Sequence, residues 1–341
     1  MKRLALFVIC LITPAIAQPK ALFYLINNPN SVKSFTEHAD KIDILVPAWY
    51  SVDGNGLVWG GPNAMVLATA AAHHVPVMPI VALMNQADLH KLFTTPAARG
   101  AFIDSLRAES KKNGYSGFQI DFEDVAWTDR DLLSSLVADT AFALHREKLQ
   151  LTIATVPNAP GSPGQNAYSH WLYANWRLGY DLKALAQSVD LICLMTYDQN
   201  TRWTEPGPVA GYPWTVQNLD YALQFVPKEK LSLGIPLYGY HWFAGDPGKE
   251  EKPNPTAEYI GQQDVEQYLA AYHPQVEWDS ADRSAWFYFY RDDTREWVFY
   301  TDKRGFAERY NLARDRGLQG FCSWVLGTED PEIWSMLPPH K

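Results

Sequence analysis

The chain has 341 residues and a formal net charge of −9, and 13% of its residues are aromatic, among them 13 Trp and 18 Tyr. The acidic excess argues against polyanionic nucleic acid as a ligand, and three cysteines are too few for a disulfide scaffold. At this length the chain holds either two ordinary domains or one α/β barrel, which commonly runs to ~250 residues or more.

The first 17 residues read as a secretory signal peptide. Lys2 and Arg3 precede the apolar run 4–12, and Ala15-Ile16-Ala17 supplies a small-x-small cleavage pattern before Gln18. That run is shorter than the ~20 residues a spanning helix needs, so no stable membrane anchor is expected. Bulky Ile9 before Cys10 argues against lipidation there. The expected address is secreted or periplasmic. Without the leader, 27 basic side chains face 38 acidic ones, and Cys193 and Cys322 are the remaining cysteines. Both lie in apolar runs and read as two buried thiols rather than a bridge.

From Gln18 onward, strand-like and helix-like patterns alternate. Strands are predicted at 21–27, 42–49, 75–82, 117–123, 149–156, 191–197, 231–238 and 320–326. Helical stretches between them include 63–74, 97–113, 130–147, 182–187, 216–225 and 305–316. This alternation implies a parallel sheet, and eight units imply closure into a (β/α)8 TIM barrel over 18–341. Between the seventh strand and its helix, residues 243–303 add more chain than a crossover needs. A helix at 264–272 and aromatic strands at 285–290 and 296–300 predict a small α+β insertion that walls the catalytic face.

Other motifs carry less. No H-E-x-x-H or paired His/carboxylate spacing accompanies His73-His74, so no metal is implied. Gly54-x-Gly56 with Gly60 misses the G-x-G-x-x-G spacing and reads as a turn, and Ser323 lies in no G-x-S-x-G elbow. No cofactor is implied.

In such a barrel, function collects at the C-terminal ends of the strands. Those ends carry Tyr24 and Asn27, Trp49 and Tyr50, Asp121 and Glu123, Met195-Thr196-Tyr197-Asp198, Tyr238 and Trp324. On the fourth strand, alternation puts Gln119, Asp121 and Glu123 on one face and Phe118, Ile120 and Phe122 on the other. Aromatic walls around a carboxylate pair suggest a carbohydrate subsite. An Asp-x-Glu alone is also a common salt-bridged structural pair.

The neighbouring motifs are more specific. Ser116-Gly117-Phe118-Gln119-Ile120-Asp121-Phe122-Glu123 resembles the D-G-x-D-x-D-x-E strand of glycoside hydrolase family 18, whose last residue is the catalytic acid. Met195-Thr196-Tyr197-Asp198 is similar to that family's M-x-Y-D. Gly320-Phe321-Cys322-Ser323-Trp324 is similar to its closing G-x-x-x-W, and Leu233-Gly234-Ile235-Pro236-Leu237-Tyr238-Gly239 to its seventh strand. The run GIPLYGYHW, residues 234–242, looks like the bacterial branch that includes spore-cortex and cell-wall glucosaminidases.

The resemblance implies a glycosidase of chitinase or endo-β-N-acetylglucosaminidase type, retaining and substrate-assisted: the 2-acetamido carbonyl replaces an enzymic nucleophile. Glu123 would then be general acid and base. Asp121 would orient the acetamido N–H and stabilise the oxazolinium ion, and Tyr197 would hold the acetamido carbonyl. Gln119, Met195, Asp198, Trp324, Trp49, Tyr24 and Tyr238 would line the sugar site. By position alone, Trp203, Trp214 and Trp242, in loops after strands six and seven, either stack on further sugars or pack in the core, where buried Trp is ordinary. Two family acids are Ser116 and Gln119 here; Gln119 is expected to hydrogen-bond Asp121, although it cannot share a proton with it. The implied partner is a β-1,4-linked N-acetylglucosamine glycan, chitin or peptidoglycan, bound by a monomer. Exopolysaccharide or N-glycan processing is a further reading, and the rival from another class is a non-catalytic lectin on the same barrel.

Overall fold

The computed structural model describes residues 18–160, 173, 177–243 and 257–339. The expected signal peptide, 1–17, lies outside the described residues.

The barrel begins with β1 (Lys20–Leu25) and β2 (Ile44–Val52), the latter extended by a short antiparallel β3 (Val58–Gly60). The turn between them includes Gly56 at φ +77°, where an added Cβ would lie 2.0 Å from the Ala98 carbonyl oxygen, so only glycine fits. This is the turn expected of the Gly54-x-Gly56 run. Next come β4 (Ile80–Leu83), β5 (Gly117–Phe122), β6 (Gln150–Thr155), β7 (Leu191–Leu194) and β8 (Leu231–Pro236). A second, five-stranded sheet follows, built from β9 (Gly239–Trp242), β10 (Ala257–Ile260), β11 (Glu277–Asp279), β12 (Ser284–Arg291) and β13 (Thr294–Tyr300). The chain returns to the barrel with β14 (Gly320–Trp324).

Parallel pairing runs β1-β14-β8-β7-β6-β5-β4-β2, and β1 also pairs with β2, so the eight strands close. The fold is the expected (β/α)8 TIM barrel, with the α+β insertion between the seventh strand and its helix Lys303–Asp315. Side-chain caps start several of the helices: Asn28 accepts from Ser31 N, Asn85 from Asp88 N and Asp181 from Ala184 N. Two apolar layers follow from strand alternation. Leu22, Val46, Met78, Ile80, Leu191, Cys193 and Cys322 fill the barrel interior. Phe23, Leu45, Phe118, Ile120 and Phe122 pack outward against the helices. Both cysteines are free and buried, as expected. No helix among the described residues is long and apolar enough to cross a membrane.

Among the elements whose bounds differ from expectation, three strands do so for a clear backbone reason. The third strand starts at Ile80 instead of residue 75 because Pro76 and Pro79 lack ladder donors; Val77 keeps only an isolated bridge to Leu45. The sixth strand stops at Leu194, where three-residue turns take over: Thr196 N donates to Leu194 O and Tyr197 N to Met195 O, each 2.8 Å. The seventh stops at Pro236, and the inserted sheet begins at Gly239, four residues before the expected boundary.

Candidate active site

At β5 the alternation is as expected. Phe118, Ile120 and Phe122 are fully buried in the outer layer, while Gln119 and Asp121 point into the barrel and Glu123 emerges at its mouth. Above them opens a cavity of about 1860 Å³, walled on one side by the inserted sheet. Eight of the ten residues expected at the site line it: Asp121, Glu123 and Tyr197, then Tyr24, Met195, Asp198, Tyr238 and Trp324. The Tyr24 and Trp324 rings lie 5.3 Å apart on neighbouring strands, forming its floor.

The carboxylates share one electrostatic problem. Burial pushes the Asp121 carboxyl up to about 6, and its Oδ1 has no hydrogen-bond partner among the described residues. Glu123 is raised well above the usual carboxylate range, first by burial and then by the charges of Asp121, Asp198 and Asp124. Burial also raises Asp198, opposed by hydrogen bonds to its Oδ1 from Tyr238 Oη at 2.6 Å and Tyr240 Oη at 3.3 Å. Asp198 sits at φ +58° directly after the Leu194–Tyr197 turns, a left-handed position that Asp tolerates better than bulkier residues. Raised in this way, the Glu123 carboxyl holds its proton to higher pH than a free carboxyl does, as a general acid at the cavity surface requires.

Two expected site residues lie elsewhere. Trp49 is buried in the outer layer, its Nε1 donating to Asn27 Oδ1 at 3.1 Å. Alternation on β2 sends Val46 inward and Leu45 and Trp49 outward, and a register shift between Ala48 and Tyr50 keeps Tyr50 outward as well. Gln119 is fully buried beneath the cavity floor. Its Nε2 donates to Thr152 Oγ1 at 3.2 Å and contacts Cys193 Sγ at 3.3 Å, and its Oε1 has no partner among the described residues, so the bond it could make to Asp121 is not formed. Of the three outlying tryptophans, Trp203 and Trp242 line the cavity, whereas Trp214 packs in the core on helix Tyr212–Ala222.

Other lining residues escaped the sequence reading. Arg177, Tyr240, Tyr259, Arg295 and Trp297 border the cavity, and Tyr259 stacks on Tyr238 at 4.5 Å. Alternation along residues 239–242 and 294–300 could have flagged Tyr240, Arg295 and Trp297, had 239–242 been recognised as a separate strand.

Comparison with known proteins decides the family: the model for glycosyl hydrolases family 18 matches residues 21–329. The chain belongs to glycosyl hydrolases family 18. As a family-18 protein it is a glycosidase. The Bacillus subtilis glycosylase YvbX is 23% identical over 322 residues, covering 92% of this chain and 89% of its own. The cortical fragment-lytic enzyme of Bacillus subtilis is 22% identical over 84% of this family-18 chain, which spans 65% of that longer protein. Among solved structures, the chitinase from Chromobacterium violaceum ATCC 12472 superposes with a TM-score of 0.81 at 26% identity, covering 93% of this chain and 97% of that one.

Proposed function

We propose that this family-18 glycosidase is a retaining hydrolase of β-1,4-linked, N-acetylglucosamine-containing glycans, chitin or peptidoglycan, acting by substrate-assisted catalysis. The observation that carries the reading is Glu123: a carboxyl whose pKa is pushed upward by burial and by three neighbouring carboxylates, at the surface of a cavity large enough for several sugars. The names of its relatives, a cortical fragment-lytic enzyme and a chitinase, agree with that substrate class.

In the first step the Glu123 proton passes to the glycosidic oxygen as the bond from C1 to that oxygen breaks. The acetamido carbonyl oxygen closes on C1, forming an oxazolinium ion. Ionised Asp121 accepts the acetamido N–H and balances the developing positive charge, and Tyr197 donates to the acetamido oxygen and keeps it in line. Water then attacks C1, its proton returns to Glu123, and the acetamido group is regenerated with the configuration at C1 retained. Met195, Asp198 with its Tyr238 and Tyr240 partners, Tyr24 and Trp324 seat the sugar. We also propose that the protein acts after export to the periplasm or medium, on the strength of the Lys2-Arg3, apolar and Ala15-Ile16-Ala17 pattern, and as a monomer.

Mass spectrometry of products from N-acetylglucosamine oligomers and from purified peptidoglycan tests the reading. Cleavage by the wild type and none by Glu123→Gln is the expected result, and the substrate cleaved assigns chitin or peptidoglycan. Binding of both without cleavage would leave the lectin.

A further inference from the structure

The inserted sheet has a face that the bond-breaking chemistry does not use. Along β12 and β13 the side chains alternate. Ala285, Phe287, Phe289, Val298 and Tyr300 pack in the small core beneath helix Gln262–Tyr272. Trp286, Tyr288 and Tyr290 take the other face, together with Arg295, Trp297 and Phe299. Register places Trp286 opposite Phe299 and Tyr288 opposite Trp297. The row continues onto β9, where Trp242 pairs with Trp297 and Tyr240 with Phe299.

The rings are ordered as a group. Trp286 lies 5.7 Å from Trp297 at an interplanar angle of 29°, and 5.8 Å from Phe299 at 15°. The Arg295 guanidinium lies 4.7 Å from the Tyr288 ring centre and donates to Tyr290 Oη from Nε at 3.0 Å and Nη2 at 2.6 Å. Side chains held this way lose little freedom when a ligand settles on them.

The row is continuous with the cleft, and this identifies its occupant. Trp242, Arg295 and Trp297 line the large cavity, whereas Trp286, Tyr288 and Tyr290 lie beyond it on the same face. Tyr288 and Tyr290 are 40% and 54% exposed, and at the edge of β12 they border a second cavity of about 320 Å³ with Tyr272, Phe289 and Glu277. Pyranose rings present apolar C–H faces with hydroxyls at their edges, and aromatic rings with the Tyr288 and Tyr290 phenol hydroxyls and the Glu277 carboxylate beside them match both.

We propose that this outer face is a distal binding site for the same glycan, on which sugars passing Trp297 out of the cleft lie across Trp286, Tyr288 and Tyr290. The proposal rests on the glycan-hydrolase reading above. A polymer is held there without any contact at the reacting bond, so chain length is read in affinity and not in turnover.

The test compares wild type with a Tyr288→Ala/Tyr290→Ala variant, both checked for an unchanged melting temperature. The readouts are kcat and KM on N-acetylglucosamine tetramer, and sedimentation binding to insoluble chitin and to peptidoglycan sacculi at several protein concentrations. The expected result is unchanged tetramer kinetics, with binding to at least one polymer weakened roughly tenfold. Equal polymer binding by both proteins would overturn the distal site while leaving the hydrolase intact. Wild type that cleaves nothing but loses polymer binding on substitution would sink the hydrolase and keep the glycan surface. A wild-type dimer dispersed by the substitution, with polymer binding unaltered, would hand the face to a second copy of the chain and overturn the proposal.

Discussion

The barrel mouth and the inserted sheet treat buried polar groups in opposite ways. At the mouth, Asp121, Glu123 and Asp198 crowd one cavity; Asp121 Oδ1 has no partner among the described residues, and all three carboxyls are shifted upward. In the inserted sheet the polar groups are matched. His241 Nε2 lies 2.6 Å from Glu296 Oε2 and its Nδ1 2.9 Å from Glu258 Oε1, Arg291 Nε donates to Glu296 Oε1 at 2.8 Å, and Tyr268 Oη donates to Glu258 at 2.9 Å. A matched cluster holds a sheet in register, whereas crowded, poorly matched carboxyls titrate above their usual range, as acid–base chemistry needs. On the proposed reading, the contrast separates chemistry in the barrel from chain recognition in the insertion.

Substitutions on each side sharpen that division. The largest effect is expected at the mouth: Glu123→Gln lowers hydrolysis of N-acetylglucosamine tetramer about a thousandfold, within the range of a general acid, with binding retained in calorimetry. On the matched side, Glu296→Ala removes the partner of both His241 and Arg291. It should cost about 3 kcal/mol of stability, read in denaturant unfolding, while tetramer kcat at 25 °C stays within a few-fold of wild type.

Asp121 ties the two properties together. Its carboxyl is raised from 3.8 to about 6 in the folded protein, so folding favours the protonated form. The resulting destabilisation is absent below the unfolded pKa, grows as pH rises from about 4 to about 6, and has levelled off at about 3 kcal/mol by pH 7. Asp121→Asn should therefore raise the melting temperature at pH 7 and leave it near wild type at pH 4, while lowering kcat about a hundredfold through the lost charge on the oxazolinium. The same titration gives wild-type kcat an acid limb near pH 6, below which neutral Asp121 no longer balances that charge. A limb well below pH 5 would show that Asp121 is not the group that must ionise.

The smallest effect is expected where the structure moved a residue out of the site. Trp49→Phe loses its hydrogen bond to Asn27, about 1 kcal/mol, with no change in KM.

That displacement shows what was legible in the chain. The eight-fold strand–helix rhythm and the motifs around Glu123 and Tyr197 sufficed for the barrel and most of the cavity lining, because alternation on a regular strand fixes which face a side chain takes. Irregular backbone hid the rest. Trp49 stands within the register shift between Ala48 and Tyr50. The aromatic run 234–242 concealed the step from β8 to β9, and with it Tyr240 and the inserted wall. Gln119 faces inward as expected, but how deep it sits depends on the layering of side chains inside the closed barrel, which no single strand pattern shows.

The most direct test of the account is proton NMR of the anomeric signals during the first turnovers on N-acetylglucosamine tetramer, with Glu123→Gln alongside. The account predicts β-anomer product first, mutarotating to α only later, and no signal from the variant. An α-anomer appearing first, or a variant cleaving at the wild-type rate, would contradict substrate-assisted catalysis through Glu123.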